Sequence, residues 1–176
     1  RYASDGQWHL IASPVTEATA NIFQGEYLQS YTEATDTWTD IVVTSSLLNP
    51  CQGYALWGVS KATTYTFTGT PNTGDISWDY TYTPGGNPLH YGFNLMGNPY
   101  PSSIDWDLLN ETYGAVYYYN GSAYVTWNGV GAGSQYIPPL QGFMIAPGSA
   151  GTLNLGNSHR THNGASTYYK SGGDNE

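Results

Sequence analysis

Basic residues are nearly missing from this chain. Lys and Arg number 4 in 176 residues against 13 Asp and Glu, so the formal net charge is −9. Clustered Lys and Arg neutralise phosphate backbones, so a nucleic-acid partner is excluded, and with it a polybasic membrane-surface site. No apolar run approaches the ~20 residues that span a bilayer, so no membrane insertion is expected. Cysteine occurs once, which excludes an internal disulfide. Cys51 sits between Pro50 and Gln52 with no Cys/His pattern around it and reads as a small buried hydrophobe. There is no initiator Met and no signal-peptide pattern. Arg1 therefore reads as the start of a piece of a longer or processed protein.

Aromatics supply what charge does not. They make up 15% of the chain, with 17 Tyr, 6 Trp and 4 Phe, against 10% charged residues. That is enough to build a core and argues against disorder. Gly (22) and Pro (10) are frequent, as are Thr, Tyr and Val, which favours short strands joined by turns. Strands are expected at 8–13, 26–32, 37–43, 53–58, 64–69 and 75–83, then at 91–98, 115–120, 123–128, 142–146 and 151–156. A helical turn at 105–109, N-capped by Ser102 or Ser103, and a short helix at 17–23 complete the reading.

The second series of strands repeats the first. Trp8-His-Leu-Ile-Ala-Ser-Pro14 aligns with Phe93-Asn-Leu-Met-Gly-Asn-Pro99. Pro50-Cys-Gln-Gly-Tyr-Ala-Leu56 aligns with Pro139-Leu-Gln-Gly-Phe-Met-Ile145. Tyr31 aligns with Tyr119, Thr37-Trp38-Thr39 with Thr126-Trp127-Asn128, and Phe67 with Leu155. The offset drifts only between 85 and 89, as small loop insertions would produce. The expected fold is all-β: a jelly-roll-like β-sandwich of two related halves, 7–83 and 91–157, each of about five strands. A kelch-type propeller, suggested by Tyr31-Thr-Glu-Ala-Thr-Asp-Thr-Trp38, fits poorly, because its period is ~50 residues and it needs at least ~4 blades. Residues 1–163 form the single domain, expected to be monomeric. Residues 164–176 are a tail with a possible edge strand at 167–170.

The repeat sorts the aromatics. Rings present in both copies, such as Trp8/Phe93 and Trp38/Trp127, are assigned to the scaffold. The Gln52-Gly53 and Gln141-Gly142 pairs read as turns where Gly supplies unusual dihedrals. Rings in one copy are candidates for function. Trp57, opposite Ala146, points away from the core face. Trp78, Tyr80 and Tyr82 alternate with polar residues, either as a core-facing strand edge or as a flat stacking platform. Tyr117 and Tyr118 match Gln29 and Ser30. Rings suit sugars because a pyranose has an apolar CH face that stacks, while its hydroxyls bond to nearby Asp, Asn and Tyr.

Catalytic patterns are missing. There is no P-loop, GxSxG elbow, HExxH or EF-hand loop. The paired glutamates of a compact xylanase-type jelly roll are not placed on facing strands. His159 and His162 are assigned to a solvated tail in preference to a metal or anion site. No cofactor is expected, although loop Asp and Asn oxygens leave a structural calcium open.

Several blocks carry a family resemblance: Gly6-Gln-Trp-His-Leu-Ile-Ala-Ser-Pro14, Gln52-Gly-Tyr-Ala-Leu-Trp57, Phe93-Asn-Leu-Met-Gly-Asn-Pro-Tyr-Pro101, Ile104-Asp-Trp106 and Asn157-Ser-His-Arg-Thr-His-Asn163. Together they resemble a β-rich module of large secreted or surface proteins of Bacteroidetes, which often precedes a C-terminal sorting domain for type IX secretion. The resemblance implies export and covalently linked neighbouring domains, and carries no catalytic residues. The expectation is a non-catalytic, secreted or cell-surface accessory module. It binds polysaccharide of plant glucan, xylan or mannan type through Trp57, Trp78, Tyr80, Tyr82, Tyr117 and Tyr118. The alternative is a structural spacer or adhesion module with no sugar site.

Overall fold

The computed structural model describes residues 2–3, 6–58, 63–85 and 92–163. The tail at 164–176 and its expected edge strand lie outside them. The fold is all-β, with strands β1 (Tyr2–Ala3), β2 (Trp8–Ile11), β3 (Tyr27–Thr32), β4 (Thr37–Asp40), β5 (Tyr54–Trp57), β6 (Thr63–Thr64) and β7 (Ile76–Tyr80). There follow β8 (Asn94–Gly97), β9 (Ser103–Asp105), β10 (Val116–Tyr119), β11 (Tyr124–Trp127), β12 (Tyr136–Ile137), β13 (Gly142–Ile145), β14 (Gly151–Leu155) and β15 (Arg160–Thr161). Helical turns are short: 3-10 segments at Ala20–Phe23, Glu33–Thr35, Trp106–Leu108 and Asn157–His159, and one α turn at Asn110–Tyr113. The turn at Trp106–Leu108 is capped by Asp105, whose side chain accepts from the Asp107 amide. Neither of the expected caps serves: Ser103 is in β9 and Ser102 precedes it.

Two four-stranded antiparallel sheets follow one plan. Their orders are β2-β5-β3-β4 and β8-β13-β10-β11. Leu10 pairs with Ala55 as Leu95 pairs with Met144, and Leu28 pairs with Leu56 as Val116 pairs with Ile145. The contacts between sheets are reciprocal as well. Ile11 bridges Gln141 and Met96 bridges Gln52. The Ala12 amide donates to Leu140 O at 3.0 Å, and the Gly97 amide to Cys51 O at 2.8 Å. These pairs relate the sheets by a pseudo-two-fold axis.

Alternation along the strands gives each sheet two apolar faces. Ile11, Leu28, Tyr54 and Leu56 face a first core with Phe23 and Tyr65. Val116, Tyr118, Phe143 and Ile145 face a second core around Trp106. The opposite faces meet in a smaller cluster of Leu10, Ala55, Leu95 and Met144. The sandwich thus has a small shared centre and a separate core behind each sheet, where one common core was expected. Each sheet is covered on one face by its own core and on the other by the facing sheet.

Four expectations about local structure change. The strand at 76–80 was placed in the first half, yet β7 pairs with β14, with Trp78 opposite Leu153 and Ile76 opposite Leu155. It backs the second core. Trp127 is not the counterpart of Trp38. The first hairpin sets Tyr31 opposite Trp38, whereas the second sets Tyr119 opposite Tyr124 and Trp127 opposite Val116. An odd shift of three residues turns a side chain to the other face, so Trp127 packs on the second core. Gly53 and Gly142 are not in left-handed backbone; that conformation falls on Cys51 and Leu140, both at φ +67°. The glycines instead let one sheet's backbone touch the other's. Finally, residues 157–161 are not a solvated tail. β15 pairs with β9, and the Arg160 guanidinium stacks 4.9 Å from the Tyr100 ring centre and donates to Ser102 Oγ at 2.8 Å.

Candidate functional site

The faces that meet at the pseudo-two-fold axis are rich in rings. On the first sheet Trp8, Tyr31 and Trp38 lie on the face of Leu10 and Ala55; on the second, Phe93, Tyr117, Tyr119 and Tyr124 lie on the face of Leu95 and Met144. The four aliphatic residues fill only the middle of the contact. Two cavities lie beside them, each lined by residues of both sheets.

One cavity, about 290 Å³, is lined by Trp8, Leu10, Gln29, Ala55, Tyr119, Trp38 and Tyr124. The other, about 510 Å³, is lined by Phe93, Tyr117, Met144, Tyr31, Asp36, Thr126, Trp38 and Tyr124. The two are pseudo-equivalent. Trp8 corresponds to Phe93, Gln29 to Tyr117, Ala55 to Met144 and Tyr119 to Tyr31. Trp38 and Tyr124, which correspond to each other, line both cavities and stand at the axis between them. They are 40% and 48% exposed, so the ring pair shared by the two cavities reaches solvent, and the cavities and this pair together make a groove.

The rings are held by one another. Tyr31 and Trp38 lie 4.9 Å apart, Tyr119 and Tyr124 5.3 Å, and Phe93 and Tyr117 5.1 Å between centres. Tyr31 donates its hydroxyl to Asp36 Oδ1 at 2.9 Å, and Gln29 donates to Asp40 Oδ1 at 2.8 Å. Burial, then the Asp36 hydrogen bond and charge, push the Tyr31 phenol far above its ordinary value, and burial does the same to Tyr124 more mildly. Both remain neutral at any physiological pH. The groove therefore offers apolar ring faces, phenol and amide hydrogen-bonding groups and one carboxylate. Among the described residues no Lys or Arg lines either cavity.

The hairpin that carries Tyr31, Asp36 and Trp38 is anchored through Glu33, which is 5% exposed. Its carboxylate accepts from Thr81 Oγ1 and Thr83 N, both at 2.8 Å, from Thr83 Oγ1 at 2.9 Å and from Gly92 N at 2.8 Å. Burial alone would raise this carboxyl, but the four donors outweigh it and hold the pKa below the usual carboxylate range. Glu33 is thus a support for the groove wall.

Of the six expected binding residues, only Tyr117 lines the groove. Trp57 points away from the first core as expected and pairs directly across from Trp8 on the groove-side face, half-buried and 5.4 Å from it edge to face, but outside the lining of either cavity. Tyr118 is fully buried in the second core and donates to Ser134 O at 2.8 Å. Trp78 and Tyr80 pack against that core, with Tyr80 6.2 Å from Tyr113. Tyr82 is half-buried against Gly92. The flat platform expected on this strand is therefore not formed at Trp78 and Tyr80, because that side of β7 packs on the second core while β14 pairs along its edge. The groove residues missed are five that the repeat assigns to the scaffold or to shared positions, Trp8, Phe93, Tyr31, Tyr119 and Trp38, and Tyr124, which is not singled out because the repeat matches Trp38 with Trp127. Duplication was the signal that could have found them, since a cleft on a two-fold axis is built from equivalent residues of both copies.

Among the described residues no group of three or more His, Cys, Asp or Glu is placed to hold a metal ion, and no helix is long and apolar enough to cross a membrane. His159 takes the Gly156 amide on Nδ1 at 3.1 Å. Comparison of the chain with protein-family models, with curated proteins and with solved structures returned no match in any of the three.

Proposed function

We propose that this protein is a non-catalytic polysaccharide-binding module whose site is the aromatic groove between the two sheets. The observation that carries the reading is the pair Trp38 and Tyr124, exposed rings at the junction of two ring-lined cavities. Ring faces stack on the CH faces of sugars, and Gln29, Asp36 and the phenols can bond to hydroxyls at the rim. Few groups here are suited to chemistry: Glu33 is consumed by four donors, and Asp36 by Tyr31. Secretion or surface display beside linked domains belongs to the same reading and rests on the sequence resemblance alone.

A few stacked rings at about 1 kcal/mol each give dissociation constants on the order of micromolar to millimolar. Native affinity electrophoresis through gels containing galactomannan, xylan or hydroxyethylcellulose tests this. At least one polymer should retard the protein, and Trp38→Ala should weaken that retardation about tenfold. Trp38 is exposed, so its loss leaves the fold intact. Unretarded migration in every gel would leave a spacer or adhesion module as the answer.

A further inference from the structure

The two cavities are equivalent but not alike, and they share their central rings. Resting on the glycan-binding reading above, we infer that the ligand is an uncharged, linear polysaccharide held by an internal segment that crosses both half-sites over Trp38 and Tyr124. An isolated sugar, a chain end and an acidic glycan are each a poorer fit.

Three observations carry this. First, a pocket for a chain end is closed on one side, whereas here the two cavities share Trp38 and Tyr124 in their linings and both rings reach solvent. A ligand that fills one half-site already touches the rings of the next. Second, ring pairs recur in both halves, Tyr31 with Trp38 and Tyr119 with Tyr124. A repeated arrangement of stacking faces matches a polymer that presents the same face at regular intervals. Third, the lining is electrostatically one-sided. Asp36 faces the larger cavity, and among the described residues no Lys or Arg lines either one. Arg160, the only Lys or Arg among the described residues, is engaged at Tyr100 and Ser102. With a net charge of −9, uronates or sulfates would be repelled at low salt.

The half-sites also differ in a way that predicts unequal contributions. The smaller has Trp8, Gln29 and Ala55 where the larger has Phe93, Tyr117 and Met144. Trp8→Ala probes one and Tyr117→Ala the other.

Calorimetric titration with manno-, xylo- and cello-oligosaccharide ladders, with the neutral polymers above, and with polygalacturonate and alginate tests the inference. Affinity should climb with length and then level once both half-sites are filled. For long oligomers each variant should lose about fivefold, and the two losses should multiply in the double variant. The shortest binding oligomers should respond to only one of the two. Neutral polymers should carry several protein molecules per chain, and the acidic polymers should bind at least tenfold more weakly. Trp8→Phe and Tyr117→Phe, checked by near-UV circular dichroism, keep the comparison interpretable if an alanine variant misfolds. If Trp38→Ala leaves binding to every neutral polymer unchanged, the groove is not a glycan site and both readings fall. If Trp38 matters but affinity is independent of length, or polygalacturonate binds as well as the neutral chains, the groove binds sugar and this inference alone is overturned.

Discussion

Gly142→Ala should lower stability by about 3 kcal/mol, at the upper end of what overpacking costs. A Cβ at Gly142 would lie 2.7 Å from Ile11 N, 2.8 Å from Leu10 C and 2.9 Å from Ile11 O. All three are backbone atoms of β2, in the other sheet, so no side chain can rotate away. The sheets themselves would have to separate at the axis. Gly53 repeats the situation against Met96 O and Leu95. For a chain of this size the change corresponds to a fall in Tm of roughly 6–12 °C. Gly148→Ala is the control, because a Cβ there meets nothing within 4 Å; it should be neutral or slightly stabilising through the unfolded chain. Thermal unfolding of the three proteins decides the matter, and a Gly142→Ala loss no larger than the control's would refute the backbone-contact account.

Glu33→Gln should cost about 2–3 kcal/mol, in the range of hydrogen bonds to a buried charged group. The substitution preserves shape but replaces one acceptor oxygen with an NH₂ that faces amide and hydroxyl donors. The effect has a pH signature. The native state holds Glu33 ionised more firmly than the unfolded chain does, since its pKa lies below the ordinary value. Its contribution is therefore complete above about pH 4.3, the unperturbed value, and is lost as pH falls through the lower native pKa. Denaturant titrations of wild type and variant between pH 3 and 7 should show a constant gap at neutral pH that narrows in acid. A gap of the same size at pH 3 and pH 7 would mean that ionisation of Glu33 contributes nothing.

Much of the fold was legible from residue order. Tyr, Thr and Val runs broken by Gly and Pro give strands close to those observed, and the pairing of Leu10 with Leu95 and of Leu56 with Ile145 predicts equivalent places in two like sheets. The hairpin was misread because the Thr-Trp match at 37–38 and 126–127 is strong locally, while the pleat that decides the face depends on hairpin length. β7 was misplaced because alternation shows that a strand has an apolar side without showing which core it covers. The groove was hidden for a different reason. Shared rings were equated with interior packing, but at a two-fold axis shared residues of both copies line whatever opens there. Glu33 carried no signal at all, because its four donors come from residues 48–59 positions away.

The reciprocal bridges between Ile11 and Gln141 and between Met96 and Gln52 have the form of a contact between two identical subunits, in which residue i meets j and j meets i. In such a dimer any change appears twice and both ends of a cleft must stay alike. Joined through residues 68–75, the halves meet at a fixed effective concentration, and each substitution is felt once. Tyr54 can keep a hydroxyl that accepts from the Asn49 amide and donates to Gln52 Oε1, while Phe143 has none, Pro138 offers no amide and Gln141 Oε1 stays unpartnered. Trp8 can stand where the other half has Phe93, and Gln29 where it has Tyr117. Covalent linkage turns a symmetric cleft into one whose two ends are free to specialise.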